Sequence, residues 1–190
     1  QRQMLAHLFK AADIMNQVFW KQAFGDKDKL FADISGEDTL HFAKINYGPW
    51  DRLNGNKPFV EGYGPKPLGA NFYPEDMTIE EFEEWENDNK ASLYTLVRRD
   101  DEGNLMNIWY SDAYKAEFEK AADLLKKAAE LAENESFKNY LNLRAEALLT
   151  NNYQPSDMAW LDVKDNDIDL VYGPIENYED QLYNYKAAFE

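Results

Sequence analysis

Residues 111–150 decide the fold class, and they read SDAYKAEFEKAADLLKKAAELAENESFKNYLNLRAEALLT. Apolar side chains recur at three- and four-residue steps through the first half: Tyr114, Phe118, Ala121, Leu125, Ala128 and Leu131. That spacing predicts an α-helix with one apolar stripe, which Ser111 caps and which runs to about Leu131. The second half predicts another helix over 135–150. Because a short connection at Asn134 separates them, we expect an antiparallel helical pair over 111–150.

Further helices are predicted on the amino-terminal side. Residues 2–23 carry apolar side chains with the same helical spacing, and Gly25 follows where such a helix would end. Two short helical pieces are predicted near 27–34 and 37–46.

The middle of the chain predicts a helix followed by a β-hairpin. The letters TIEE from Thr78 form a capping box, which predicts a helix to about Asn87. Residues 94–99 and 105–110 are rich in β-branched and aromatic side chains, and they flank the turn 100–104.

The carboxy-terminal part is less regular. A short helix is predicted after Pro155 and a possible strand over 168–172, whereas 175–189 is ambiguous between strand and helix. Together these elements predict a single unit over 1–190, mainly α-helical α+β with a small antiparallel β-hairpin.

Residues 47–76 form a long loop in which Gly and Pro interrupt every period. The loop nevertheless holds five aromatic residues: Trp50, Phe59, Tyr63, Phe72 and Tyr73. A loop of this length inside a compact domain is usually functional or is laid against another surface.

Composition excludes several classes of function. The net charge is −16, which disfavours binding to nucleic acid and to anionic membranes and suits a cationic or neutral partner. There is no cysteine, so disulfides, thiol nucleophiles and thiolate metal sites are excluded. No apolar run reaches the length of a membrane span, and no signal peptide is visible. The compartment stays open between cytoplasm and periplasm, and both ends look cut.

Few residues suggest a self-sufficient active site. His7 and His41 are the two histidines, and Glu37 and Asp38 precede His41 by one helical turn. Such a group could contact a metal weakly, but acidic neighbours of a surface histidine are common. The His-Glu-x-x-His helix of zinc peptidases and the usual serine-nucleophile motifs are absent. We therefore predict no metal ligands in this chain.

The carboxylates Asp51 and Glu61 lie in the aromatic loop 47–76. Carboxylates beside aromatic rings could bind or cleave glycans, because two acids can divide the acid and base roles. The plainer interpretation is that Asp51 and Arg52 form an ion pair that fixes the loop.

Four segments resemble the dipeptidyl peptidase III family of zinc metallopeptidases. IDLVYGPIENYED at 168–180 is similar to the family's substrate-contacting stretch, which reads roughly Ile-Gly-Phe-Ile-Glu-Ser/Thr-Tyr-Arg-Asp. KAAFE at 186–190 is similar to the continuation of that stretch. YGPWDRLNGN at 47–56 and PKPLGANFYP at 65–74 resemble the amino-terminal half of bacterial members.

The resemblance implies roles for two residues. Glu176 matches the glutamate that binds the free amino terminus of a peptide, and Tyr178 matches the tyrosine that hydrogen-bonds the substrate near the scissile carbonyl. From residue type alone, a strand carboxylate and a buried tyrosine would be the ordinary interpretation. Two positions depart from the family pattern: Glu179 replaces an arginine, and Pro174 replaces an aromatic residue.

The family's zinc-binding motifs, His-Glu-x-x-Gly-His and Glu-Glu-x-x-Ala-Glu, do not occur here. The resemblance therefore implies an amino-terminal part of the non-zinc lobe of a two-lobed peptidase. Its partners would be a peptide substrate and a missing carboxy-terminal lobe that binds zinc, and the chain alone would be inactive. Two alternatives stay open: a glycan-binding or glycan-cleaving protein that uses loop 47–76, and an interaction scaffold that uses the helical pair 111–150.

Overall fold

The computed structural model describes residues 1–164 and 166–190. In chain order its elements are α1 (Arg2–Ala23), α2 (Lys27–Asp33), α3 (Glu37–Asn46), β1 (Trp50–Asp51), β2 (Lys57–Pro58), α4 (Ile79–Glu84), β3 (Thr95–Arg99), β4 (Leu105–Trp109), α5 (Tyr110–Ala113), α6 (Lys115–Leu131), α7 (Glu135–Thr150), α8 (Gln154–Leu161), β5 (Pro174–Glu176) and β6 (Ala188–Phe189). The mainly helical α+β class is confirmed. In the described part of the chain, no helix is long and apolar enough to span a membrane.

Helices α1, α6 and α7 form the scaffold, and α8 packs against α7. Helices α6 and α7 are in contact and three residues connect them, so they run antiparallel, as predicted. The Asn134 side chain caps α7 by accepting a hydrogen bond from the Phe137 N–H at 2.9 Å. Apart from Leu131 at the end of α6, the apolar stripes of both helices are buried in the main core, so these stripes are not available as a separate binding face.

The predicted cap at Ser111 is wrong. Ser111 lies inside the short helix α5, and the chain breaks at Tyr114 before α6 begins. The Ser111 N–H donates to Asn151 Oδ1 at 3.0 Å, and its Oγ accepts from Asn151 Nδ2 at 2.7 Å. Ser111 is therefore hydrogen-bonded to a residue that is distant in the chain, and its hydroxyl does not cap α6.

In the described residues, three two-stranded antiparallel ribbons replace the single hairpin expected from sequence. The predicted hairpin is present as β3 and β4, with Val97 opposite Asn107. The ribbon of β1 and β2 lies inside the loop, and β5 pairs with β6 near the carboxyl end. Helix α4 begins after its Thr78 cap but ends at Glu84, before the predicted Asn87.

The strand predicted over 168–172 is wrong, since no partner strand lies beside it in the described residues. Its alternation is still meaningful: Ile168 and Leu170 pack against the core, and the buried Tyr172 hydroxyl donates to the Ala11 carbonyl at 3.0 Å. The ambiguous stretch 175–189 contains the end of β5, a series of turns, and β6.

Loop 47–76 is laid against the protein. Phe72 and Tyr73 join the main core, and Val60 belongs to a second, smaller core with residues of α1, α2 and α3. Trp50 is buried as well, and its Nε1 donates to the Gly64 carbonyl at 2.8 Å. These three buried rings cannot stack on a sugar, whereas Phe59 and Tyr63 are half-buried against the smaller core, so most of the aromatic surface that suggested a glycan site is not available.

Candidate functional site

A groove of about 390 Å³ opens between α1, the end of α3 and the carboxy-terminal ribbon. Its walls are formed by ten residues: Ala12, Asn16, Phe19, Ile45, Tyr47, Arg52, Glu176, Tyr178, Phe189 and Glu190. Both predicted site residues therefore face one concave surface, which has apolar walls and a few polar groups. That composition is typical of a ligand site.

Glu176 is the last residue of β5, and its residue surface is 9% exposed. Its Oε2 accepts a hydrogen bond from the Glu179 N–H at 3.0 Å. The backbone N–H of Tyr178 also faces this carboxylate. Burial raises the pKa of the Glu176 carboxyl above its ordinary value, and the neighbouring Glu179 charge adds to the rise, whereas backbone N–H groups oppose it.

Tyr178 is 65% exposed and lies two residues beyond Glu176 in the same turn. Its hydroxyl lies 3.4 Å from Glu190 Oε1, a long contact that leaves it free to turn towards a ligand. Partial burial, followed by the charges of Glu176 and Glu190, raises the Tyr178 pKa. The hydroxyl therefore stays protonated and can donate a hydrogen bond.

Behind the groove, Glu179, Arg52 and Lys66 form an ionic cluster that we name the Glu179 clamp. Arg52 donates to both Glu179 oxygens, from Nη1 at 2.6 Å and from Nη2 at 3.0 Å, and Lys66 Nζ lies 2.5 Å from Oε1. The Glu179 side chain is 2% exposed and that of Lys66 is 5% exposed. Burial alone would raise the Glu179 pKa, but the two cations outweigh it and lower the pKa.

The clamp corrects the predicted pair between Asp51 and Arg52. Asp51 Oδ1 instead accepts from the Leu53 N–H at 3.1 Å within the loop's own turn. Arg52 is further fixed by donating from Nε to the Asn46 carbonyl at 2.6 Å, and it stacks over the Phe19 ring. Arg52 and Lys66 were missed as site residues because they meet Glu179 across more than a hundred positions, a separation that no local pattern reveals.

The turn that carries Tyr178 is fixed from its other side by Asp180. This fully buried carboxylate accepts from the Tyr73 hydroxyl at 2.7 Å and from four backbone N–H groups, those of Leu182, Tyr183, Tyr185 and Lys186. Five hydrogen bonds to one carboxylate hold the segment in one conformation.

The other candidates lie apart from the groove. His41, Glu37 and Asp38 are on α3, where His41 is exposed, and His7 is half-buried on α1. Glu61 is exposed in the loop. Within residues 1–164 and 166–190, no group of three or more His, Cys, Asp or Glu side chains is placed to hold a metal ion.

Two solved structures resemble this chain closely. Dipeptidyl peptidase III from Caldithrix abyssi matches with a TM-score of 0.93 and 47% identity, over 99% of this chain and 38% of that chain. Dipeptidyl peptidase III from Corallococcus sp. strain EGB matches with a TM-score of 0.91 and 36% identity, over 98% of this chain and 37% of that chain. The resemblance to the dipeptidyl peptidase III family is therefore confirmed. The match is consistent with an amino-terminal part of a dipeptidyl peptidase III, and it spans well under half of either solved chain.

One curated relative bears a different name. Nudix hydrolase 3 of Arabidopsis thaliana is 31% identical over an alignment 248 residues long. The alignment covers 98% of this chain and 32% of that protein. Since about two-thirds of that protein lies outside the match, its name does not tell which hydrolytic chemistry belongs to the shared part. No protein-family model matches the chain.

Proposed function

We propose that this chain is the peptide-holding part of a zinc-dependent dipeptidyl peptidase, which removes dipeptides from peptide amino termini. The observation that carries the proposal is the groove, which brings the Glu176 carboxylate and the Tyr178 hydroxyl to one apolar-walled surface. The likeness to dipeptidyl peptidase III over nearly the whole chain supports it.

Glu176 would hold the ammonium group of the substrate. A carboxylate binds an ammonium through charge-assisted hydrogen bonds, which are about twice as strong as neutral ones. Because Glu176 lies at a fixed place in the groove, this pairing sets how far the peptide enters. A fixed distance from the amine to the cleavage point is what releases dipeptides rather than single residues.

Tyr178 would donate a hydrogen bond to a carbonyl oxygen of the peptide. Its raised pKa keeps the proton on the hydroxyl, and the weak contact to Glu190 is easily exchanged for a substrate oxygen. A donor that is already in place stabilises negative charge as it develops on that oxygen. Tyr178 thus assists the reaction without forming a bond to the substrate.

The residues described here do not fit a zinc ion. The two histidines lie on different helices, and no suitable cluster of three ligands surrounds either of them in the described part of the chain. The proposal therefore places the zinc site in a second lobe outside this chain, and it predicts that residues 1–190 alone do not cleave a dipeptidyl chromogenic substrate.

The decisive experiment is Glu176→Gln in the longer protein that contains this segment. Loss of the charge should weaken binding of a peptide with a free amine by about tenfold or more, with zinc content preserved. Binding of the amino-terminally acetylated peptide should change little, because that peptide has no ammonium.

The matched control is Glu61→Gln, which alters an exposed carboxylate of loop 47–76 away from the groove. It should leave both affinities as they are. Equal affinity of wild type and Glu176→Gln for the free-amine peptide would remove Glu176 from this role. Chelator-sensitive cleavage by residues 1–190 alone would refute the placement of zinc outside the chain.

A further inference from the structure

A chain of contacts leads from loop 47–76 to the carboxylate in the groove. Lys66 and Arg52 hold the Glu179 side chain, and the Glu179 N–H donates to Glu176 Oε2 at 3.0 Å. The Glu179 backbone is therefore anchored by its own side chain at the point where it orients Glu176. Nothing in the resemblance predicts this arrangement, since position 179 departs from the family pattern.

We propose that Lys66 and Arg52 are positioning residues: by holding Glu179 they fix the N–H that orients Glu176, and they neutralise the charge beside it. This inference rests on the proposed function, because it concerns how firmly the groove holds the ammonium group of a peptide. Lys66 does not line the groove, so it acts on Glu176 through Glu179 and through its own positive charge.

The charges make the effect directional. Glu179 contributes one negative charge next to Glu176, and by itself it disfavours the ionised form of Glu176. The two cations compensate that charge within a largely buried cluster, where solvent screens less than at the surface. Removing one cation therefore exposes Glu176 to more of the Glu179 charge, whereas removing the Glu179 charge does the reverse.

A second arginine cluster offers a matched control. Arg99 donates to both oxygens of Glu81, at 2.7 and 2.8 Å, and also contacts Asp76. Its side chain is 24% exposed, close to the 26% of Arg52, but it lies on β3 away from the groove. Arg99→Gln breaks a comparable ion pair away from the groove, so the general effect of losing a paired cation can be separated from loss of the clamp.

The experiment measures peptide affinity against pH in the longer protein for Lys66→Met, Glu179→Gln, Arg99→Gln and wild type. Lys66→Met should weaken binding of the free-amine peptide about fivefold and move the acid limb of its pH profile to higher pH. Glu179→Gln should move the same limb to lower pH. Arg99→Gln should match wild type, and the acetylated peptide should show no limb in any variant.

The inference would be supported if Lys66→Met and Glu179→Gln move the acid limb in opposite directions. General damage to the fold would not move the limb up in one variant and down in the other. Thermal unfolding of each variant checks that it is folded, and Glu179→Gln still tests the idea if Lys66→Met does not fold. Acid limbs that coincide with wild type in the folded variants would overturn it. If Glu176→Gln itself leaves free-amine binding intact, the proposed function fails; if Glu176→Gln weakens binding and the clamp variants do not, only this inference fails.

Discussion

The helical scaffold (α1, α6 and α7) and the carboxy-terminal segment 172–190 are held by different forces. The scaffold buries apolar side chains such as Leu125 and Leu141, both fully buried. The segment adds apolar side chains such as Phe189 to the same core, but it also buries charged groups: Glu179, Asp180 and Lys186 are each at most 2% exposed. Apolar burial stabilises without fixing direction, whereas hydrogen bonds to buried charges fix one geometry. The groove is formed where the two regions meet, so the scaffold supplies stability and the segment supplies shape.

The largest expected effect comes from removing an apolar contact between the two regions. Phe118 on α6 is fully buried, and its ring centroid lies 5.0 Å from that of Phe189 in β6. Phe118→Ala should lower the free energy of unfolding by about 3–5 kcal/mol, because it leaves a cavity between the scaffold and β6. Urea denaturation measures this. Leu131→Ala, at the 37% exposed end of the same helix, should cost less than about 1 kcal/mol. If Phe118→Ala lowered the free energy of unfolding by as little as Leu131→Ala, the apolar core would not be the main source of the protein's stability.

A smaller effect, dependent on pH, should come from Lys186. This fully buried ammonium donates to the Lys90 and Ser92 carbonyls and to Thr95 Oγ1. Burial lowers its pKa to about 8, against which the Asp180 charge acts only in part. The unfolded chain keeps an ordinary lysine pKa of 10.5, so between the two values the unfolded state binds more protons and stability rises with pH.

From pH 8 to pH 10 this contribution amounts to about 2 kcal/mol. Urea denaturation at several pH values should show the rise in wild type and a much smaller rise in Lys186→Met, to which Lys66 still contributes because burial lowers its pKa too. The exposed Lys127→Met should retain it. The window ends near pH 10, because tyrosines such as Tyr63, whose pKa burial and Asp33 raise to about 12, then begin to destabilise the fold. An equal rise in Lys186→Met would assign the effect to other groups.

The same contrast explains how much of the molecule could be predicted from sequence. Helices α1, α6 and α7 could be predicted from the spacing of their apolar residues, because each helix buries one apolar stripe against the core. The hairpin of β3 and β4 is equally local, because the turn and both strands are consecutive in the chain. The motif around Glu176 and Tyr178 was found through resemblance, and the groove around them is consistent with it.

The rest depends on contacts between distant residues. Arg52 would pair with the adjacent Asp51 if only neighbours counted, yet Glu179 offers two oxygens in a buried site, and bidentate geometry there is the stronger arrangement. The residues 168–172 alternate as a strand does, but in the described structure they pair with no strand. Pairing of this kind is a property of the folded chain and is not encoded in any local window.

The smallest expected effect tests a polar contact at the end of the scaffold helix α7. Asn151 ends α7 with a φ of 57°, and its side chain makes two hydrogen bonds to Ser111. Asn151→Gly keeps the backbone conformation, since glycine adopts positive φ readily, but removes both bonds. Asn184→Gly is the matched control, because Asn184 has the same φ of 57° in an exposed turn. Its backbone carbonyl accepts a hydrogen bond from Asn177 Nδ2, and glycine keeps that carbonyl. The difference between the two variants in the free energy of unfolding should be about 1–2 kcal/mol. A difference near zero would mean that the scaffold tolerates the loss of its polar contacts, and the contrast with the carboxy-terminal segment would be sharper than we propose.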